Sequence, residues 1–259
     1  MGVQQSIDTG LRTLVCLTVL PAALIACCLW ILILAAVGAP RKRVDAVYHG
    51  FARLCVRVAG TRIVSEGREN IDPSRAYVIV PNHESSWDPV MQMAVMDQLA
   101  VRFVVKKEMI RIPIFGNALM ASGSVRVERK DTKGDTKRIQ EGMLQRDPGV
   151  SMLFYAEGTR SRDGSFRPFK KGAFMAAISE QLPILPVATA GTYRLWTPET
   201  VRIRKGTVVM LIGEPISVEG LTVDARDQLL EQTAEAVREL RTRARRRLRA
   251  LGHDPGGID

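Results

Sequence analysis

Apolar residues are spread unevenly along the chain. From Thr13 to Ala39 no residue carries a charge. As one helix at 1.5 Å per residue such a run reaches ~40 Å, more than the ~30 Å hydrocarbon core of a bilayer. It has room to cross once with tilt, or to bend near Pro21 and lie partly in one leaflet. A secretory signal core is shorter and lacks a following cluster such as Arg41-Lys42-Arg43. Residues 44 to 58 then carry a helical period. Val44, Val47, Tyr48, Phe51, Leu54, Cys55 and Val58 recur at spacings of three and four, with Lys42, His49, Arg53 and Arg57 on the other side. An apolar stripe opposite a basic one predicts a helix lying in the membrane interface. Packing against a soluble domain is the competing reading.

After Gly60 the pattern changes. Short β-branched runs at Thr61–Ser65, Ala76–Val80, Val101–Val105, Val125–Val127, Val150–Phe154, Ile184–Ala190 and Thr207–Ile212 read as strands. Helices are predicted over Pro89–Ala100, Ile112–Met120, Thr132–Arg146, Lys171–Glu180 and Val223–Leu251. Alternation of the two predicts an α/β fold: a largely parallel or mixed sheet flanked by helices, preceded by an N-terminal membrane helix segment. The chain divides into a membrane anchor with an interfacial helix (1–60), a central domain (61–222) and a basic C-terminal helix and tail (223–259). Leu229, Leu230, Val237, Leu240, Leu248 and Leu251 mark the apolar side of the last helix. Arg241 to Arg249 is heavily basic, and reads as a solvated face or a contact with lipid head groups or an acidic carrier. His253 to Asp259 reads as a frayed tail.

Charge narrows the partners. The 259 residues carry a formal net charge of +10 and a pI of about 9.8, which favours an anionic partner. Zinc-finger spacing, an aromatic RNA-binding signature and a basic zipper are missing, so no nucleic acid is expected and a lipid surface is the better fit. Three cations after the apolar run outweigh Arg12 before it, which places everything beyond residue 40 in the cytoplasm, at the inner or cytoplasmic membrane. Cys16, Cys27, Cys28 and Cys55 all fall in the N-terminal quarter, in apolar surroundings. They form neither a disulfide framework nor a CxxC pair. Met1-Gly2-Val3-Gln4-Gln5-Ser6 fits a myristoylation pattern, a loose one that we read as a chance match.

The chemistry concentrates in two loops. Asn82-His83-Glu84-Ser85-Ser86-Trp87-Asp88-Pro89 directly follows the strand Tyr77–Val80, and open α/β sheets gather their sites at strand carboxyl ends. A turn brings Asp88 to one imidazole nitrogen of His83, orienting the ring and leaving the other nitrogen to take a proton. Asp88 as a helix N-cap is the plainer alternative. No GxSxG elbow occurs, and Ser85 and Ser86 lie too close in sequence to His83 to be obvious acyl carriers. A base without a protein nucleophile suggests that the substrate supplies the hydroxyl. The second loop, Tyr155-Ala156-Glu157-Gly158-Thr159-Arg160-Ser161, is followed by Arg162, Arg167, Lys170 and Lys171. Glycine, hydroxyls and cations at a strand end suit a phosphate; a charged surface loop is the alternative.

Asn82-His83-x-Ser85-x-x-Asp88 resembles the first motif of the glycerolipid acyltransferases, the 1-acylglycerol-3-phosphate acyltransferase family. Lys107-Glu108, Pro113, Gly116, Gly123 and Arg129 resemble the second, Glu157-Gly158-Thr159-Arg160-Ser161 the third, and Leu182-Pro183-Ile184-Leu185-Pro186-Val187 the fourth. The order is kept over roughly residues 60 to 215. Tyr155-Ala156 stands where the third motif usually has Phe-Pro, and Arg126 is inserted into the end of the second. The resemblance implies acyl transfer from acyl-CoA or acyl carrier protein, as co-substrate, to the sn-2 hydroxyl of a lysophospholipid acceptor among membrane lipids. His83 and Asp88 are the implied catalytic pair. Asn82, Ser85, Lys107, Arg129, Glu157, Gly158, Thr159 and Arg160 are the implied substrate-binding residues, with Arg129 and Arg160 on the phosphate. Backbone N–H groups near the following helix start are expected at the oxyanion. No cofactor or metal is expected, because no His/Cys/carboxylate cluster has ligand spacing. Another lysolipid acceptor, such as a lyso-ornithine lipid or lysophosphatidylglycerol, and a non-catalytic lipid-binding role are the rival readings.

Overall fold

The computed structural model describes residues 3–128, 132–197 and 200–258. The chain opens with α1 (Val3–Ala36), turns at residues 37–40, and returns as α2 (Arg41–Ala59). Cys16, Leu20, Cys28, Ile31 and Leu34 face inward from α1, whereas Leu11, Leu14, Leu17, Ile25, Leu29, Trp30 and Ile33 are exposed. The helix is long and apolar enough to cross a membrane, yet both its ends are tied to the same domain. Near its start Arg12 Nη1 donates to Ala59 O at 3.2 Å, the Ile203 N–H donates to Thr13 Oγ1 at 3.0 Å, and Asp8 pairs with Lys205 at 3.0 Å. Near its end Cys28, Ile31 and Leu34 pack with Val44 and Ala118.

For α2 the contacts fit the competing reading, packing against protein. Its apolar face meets α1 on one side and the helix that follows the His83 loop on the other. Lys42, Arg43, Arg53 and Arg57 do point outward, but His49 does not join them. It is 6% exposed, with Nδ1 2.9 Å from Met93 O. His49 lies on the stripe of small residues Ala52, Cys55 and Ala59, where a neighbouring backbone approaches closely enough to bond the ring. Of these two helices, α1 carries the exposed large apolar side chains.

The central domain contains β1 (Thr61–Glu66), β2 (Val78–Pro81), α3 (Asp88–Val95), β3 (Ala100–Lys106), α4 (Lys107–Ile110), α5 (Phe115–Ala121), β4 (Val125–Val127), α6 (Thr132–Leu144), β5 (Val150–Leu153), α7 (Gly172–Ser179), β6 (Ile184–Ala190), α8 (Thr192–Leu195) and β7 (Gly206–Ile212); α9 (Arg226–Ala250) closes the fold. The strands form one sheet in the order β1-β7-β6-β2-β5-β3-β4. Its pairs are parallel except β6 with β7. The interior strands β2, β5 and β6 are buried along their whole length, which accounts for their unbroken apolar runs. Alternate side chains feed two cores. Ile79, Leu153 and Leu185 pack under α2 and α3, while Val78, Val80 and Met152 pack under α7 and α9.

Two further expectations change at the C-terminus. Arg241 and Arg245 are 4% and 3% exposed, inside the helix face read as solvated. The tail is docked rather than frayed: the Ile258 N–H donates to Asp163 O at 2.7 Å, and His253 Nε2 lies 2.9 Å from Thr207 Oγ1. The carbonyls of Gly256, Gly257 and Ile258 accept bonds from Arg241 and Arg245, which stand one helical turn apart on α9.

Candidate active site

β2 delivers Asn82 and His83 to its carboxyl end, between β5 and β6. Asn82 bridges to the end of β6: its Nδ2 donates to Thr189 O at 3.0 Å, and its Oδ1 accepts the Thr189 N–H at 2.8 Å. The chain then loops back on Asp88. One carboxylate oxygen, Oδ2, lies 2.9 Å from His83 Nδ1 and accepts the N–H groups of Glu84 at 2.7 Å and Ser85 at 2.8 Å. Asp88 is thus turned back toward its own loop and does not cap α3, whose start has no side-chain cap. A carboxylate only accepts, so Nδ1 carries the proton and Nε2 presents a lone pair. No described residue bonds Nε2.

The β5 loop completes the surroundings. The Tyr155 ring stacks on the imidazole at 3.7 Å between centroids and 18° between planes, and its hydroxyl donates to Gln92 Oε1 at 2.5 Å. Glu157 Oε1 accepts the His83 N–H at 2.8 Å, and Oε2 accepts the Arg167 N–H at 3.3 Å. The Ser161 N–H donates to His83 O at 2.9 Å. His83 is therefore held at its amide, its carbonyl, one ring nitrogen and one ring face. Burial pushes the Glu157 carboxyl up to about 8, against the opposite pull of its two N–H donors. Arg160 reaches across to the Ser86 hydroxyl, so the cation of one loop lies against the histidine loop of the other.

Several residues expected at the substrate are engaged in holding the site together. Asn82 has both amide groups on Thr189. Ser85 Oγ donates to Trp196 O at 2.8 Å and accepts the Trp87 N–H at 3.2 Å. Glu157 holds backbone on both of its oxygens. Lys107 pairs with Glu128 at 2.8 Å, at the carboxyl end of β4. Gly158 (φ +74°) makes the turn, and Lys170 crosses so close over it that a Cβ there would lie 2.7 Å from Lys170 Cε. Thr159 is exposed beside the half-buried Arg160. Arg129 lies outside the described residues. At the start of α3 the Trp87 N–H donates to Ser85 Oγ, the Asp88 N–H donates to Ser85 O at 3.3 Å, and Pro89 has none.

One pair was missed by sequence reasoning. Glu84, next to His83, is 2% exposed and accepts a bond from Arg241 Nε at 2.8 Å. Burial pushes its carboxyl up to about 7 in spite of that guanidinium. The two residues stand 157 positions apart, and the only available signal was a charged residue in an otherwise helix-inward register of α9.

This geometry has relatives. A family model described as Acyltransferase matches residues 62–190. The 1-acyl-sn-glycerol-3-phosphate acyltransferase alpha of Homo sapiens is 32% identical over 169 residues, 64% of this chain and 58% of that protein. The 1-acyl-sn-glycerol-3-phosphate acyltransferase of Limnanthes douglasii is 30% identical over 195 residues, 74% of this chain and 68% of that protein. The chain thus spans less than two thirds of the human relative. The crystal structure of the 1-acyl-sn-glycerophosphate (LPA) acyltransferase, PlsC, from Thermotoga maritima superposes with a TM-score of 0.75 at 26% identity, covering 91% of this chain and 97% of that one.

Proposed function

The chain belongs to the acyltransferase family of the 1-acyl-sn-glycerol-3-phosphate acyltransferases, and from that premise we propose that it moves a fatty acyl chain from an acyl-CoA or acyl carrier protein thioester to the free sn-2 hydroxyl of 1-acylglycerol-3-phosphate, forming phosphatidic acid. The observation that carries this reading is the His83–Asp88 pair, with no nucleophile on Nε2 among the described residues. Nε2 takes the proton from the acceptor hydroxyl as its oxygen attacks the thioester carbonyl. The tetrahedral oxyanion collapses, the C–S bond breaks, and the departing thiolate takes the proton from the imidazolium. Asp88 steadies the charged ring without itself being protonated. Arg160, with Arg129, holds the acceptor phosphate through charge-assisted bonds.

The outward apolar face of α1 supports membrane attachment. With both helix ends fixed to one domain, we place α1 along a single leaflet, and the basic residues after it put the domain on the cytoplasmic side. This brings an acceptor head group to the site without leaving the membrane.

Purified enzyme assayed against a panel of lysolipids with both donor types tests the proposal. Lysophosphatidic acid should be the best acceptor. His83→Ala should lower kcat by ~10²–10⁴-fold, the usual share of a general base. Arg160→Ala should lower kcat/KM for phosphorylated acceptors by about 10–150-fold, from roughly 1.5–3 kcal/mol per charge-assisted bond. Retention of a large part of the activity by His83→Ala would refute the mechanism, and equal losses on acceptors with and without phosphate would refute the role of Arg160.

A further inference from the structure

Arg241 projects from α9, far outside the segment that matches the family model, and yet its guanidinium ends beside the histidine loop. Nε donates to Glu84 Oε1 at 2.8 Å. Nη2 donates to Gly164 O, in the loop just past Glu157–Ser161, and to Ile258 O at 3.0 Å in the C-terminal tail. A single planar group thus joins the loop that carries His83, the loop that carries Arg160, and the end of the chain. Residue 84 is fixed twice, at its N–H by Asp88 and at its side chain by Arg241. One turn on, Arg245 bonds Gly256 O at 2.9 Å and Gly257 O at 3.4 Å. Gly164 (φ +82°) meets this tail so closely that a Cβ there would lie 2.6 Å from Gly257 Cα.

A buried ion pair is weak grounds for stability, since an apolar pair of similar volume often serves as well or better. Its planar fork and fixed reach instead suit the setting of a geometry. We propose that Arg241 is a positioning residue for acyl transfer: through Glu84 and Gly164 it sets the His83 loop against the Arg160 loop, with the docked tail as its third point. The inference rests on the reading of His83 as the base, and it concerns a residue that touches no substrate.

The experiment uses the full chain in detergent or vesicles and three measurements: the thermal midpoint, kcat with KM for both substrates, and the rate at which diethyl pyrocarbonate modifies His83, followed on its peptide by mass spectrometry. The main variant is the double substitution Glu84→Met with Arg241→Leu, which removes the tie without leaving a buried unpaired charge. Its midpoint should move by less than about 4 °C, a small change for a chain of this size. Its kcat should fall by about 10²-fold, the cost of a misplaced catalytic group. Both KM values should stay near wild type, and His83 should be modified faster. Arg241→Lys, which keeps the charge but cannot reach three acceptors, should show a smaller loss of the same kind, and it carries the test if the double variant does not fold. Wild-type kcat and an unchanged modification rate in the folded variants would overturn the proposal, as would a loss confined to KM. A wild-type enzyme inactive on every lysolipid would instead sink the function, and the modification rate would still decide whether Arg241 positions His83.

Discussion

His83 and Asp88 stand five positions apart, and a turn between them was legible as one of two readings, the other being Asp88 as the cap of the following helix. The partners of that turn were not legible. Glu157 and Arg241 lie 74 and 157 positions from the residues they hold, and nothing local to a sequence fixes such pairings. Glu157 yields a pH prediction. Its folded-state carboxyl titrates at about 8 against an ordinary value of 4.5, with burial the main cause. Between these values the folded chain keeps a proton that the unfolded chain has released. Its contribution to stability is therefore whole below about 4.5 and is lost as pH rises toward 8. Glu157→Gln imitates the protonated carboxyl and retains an acceptor for the His83 N–H. Unfolding midpoints recorded from pH 5 to 8 should fall less steeply in the variant than in the wild type. Parallel curves would show that Glu157 does not titrate in this range.

At the scale of elements, the strands were readable because buried parallel strands require short, unbroken apolar runs. Most helix positions followed from period and length. The predicted helix Ile112–Met120 starts only at Phe115, because Pro113 and the positive φ of Ile114 stand before it, and the short α4 at Lys107–Ile110 was not predicted. The order of strands in the sheet could not be read, because crossovers leave no local mark. Nor could the covering of α2, since an amphipathic stripe looks the same whether lipid or protein buries it. The pinned ends of α1 lead to a prediction that separates a leaflet-bound helix from a spanning one. With the native cysteines replaced, Gly10→Cys and Val37→Cys mark the two ends of α1, both exposed to solvent. A membrane-impermeant maleimide added to one side of sealed vesicles should label both or neither. Labelling of one end alone would mean that α1 crosses the bilayer.

The whole molecule combines two kinds of attraction to a membrane, and these respond differently to salt. The net charge of +10 was visible at once, but where it acts depends on which cations reach the surface. Arg241 and Arg245 are buried in the fold, whereas Lys42, Arg43, Arg53 and Arg57 remain exposed on α2, packed beside the apolar α1. Each such cation near an anionic surface is worth about 1 kcal/mol, an attraction that fades beyond a Debye length. Going from about 0.1 M to about 1 M salt shortens that length from about 10 Å to about 3 Å. Burial of α1 in lipid is not screened in this way. Raising salt over that range should therefore weaken, without abolishing, binding to anionic vesicles, and should lower turnover of acceptor presented in them. Serine at Lys42, Arg43, Arg53 and Arg57 should flatten this dependence while binding through α1 persists. A short-chain acceptor dispersed as monomers is the decisive comparison, because it reaches the site without a surface. Its turnover should change little between the two salts if the basic face acts on the membrane. An equal loss on dispersed and vesicle-bound acceptor would place the salt-sensitive cations at the phosphate itself, and α2 would then have no part in bringing the enzyme to its substrate.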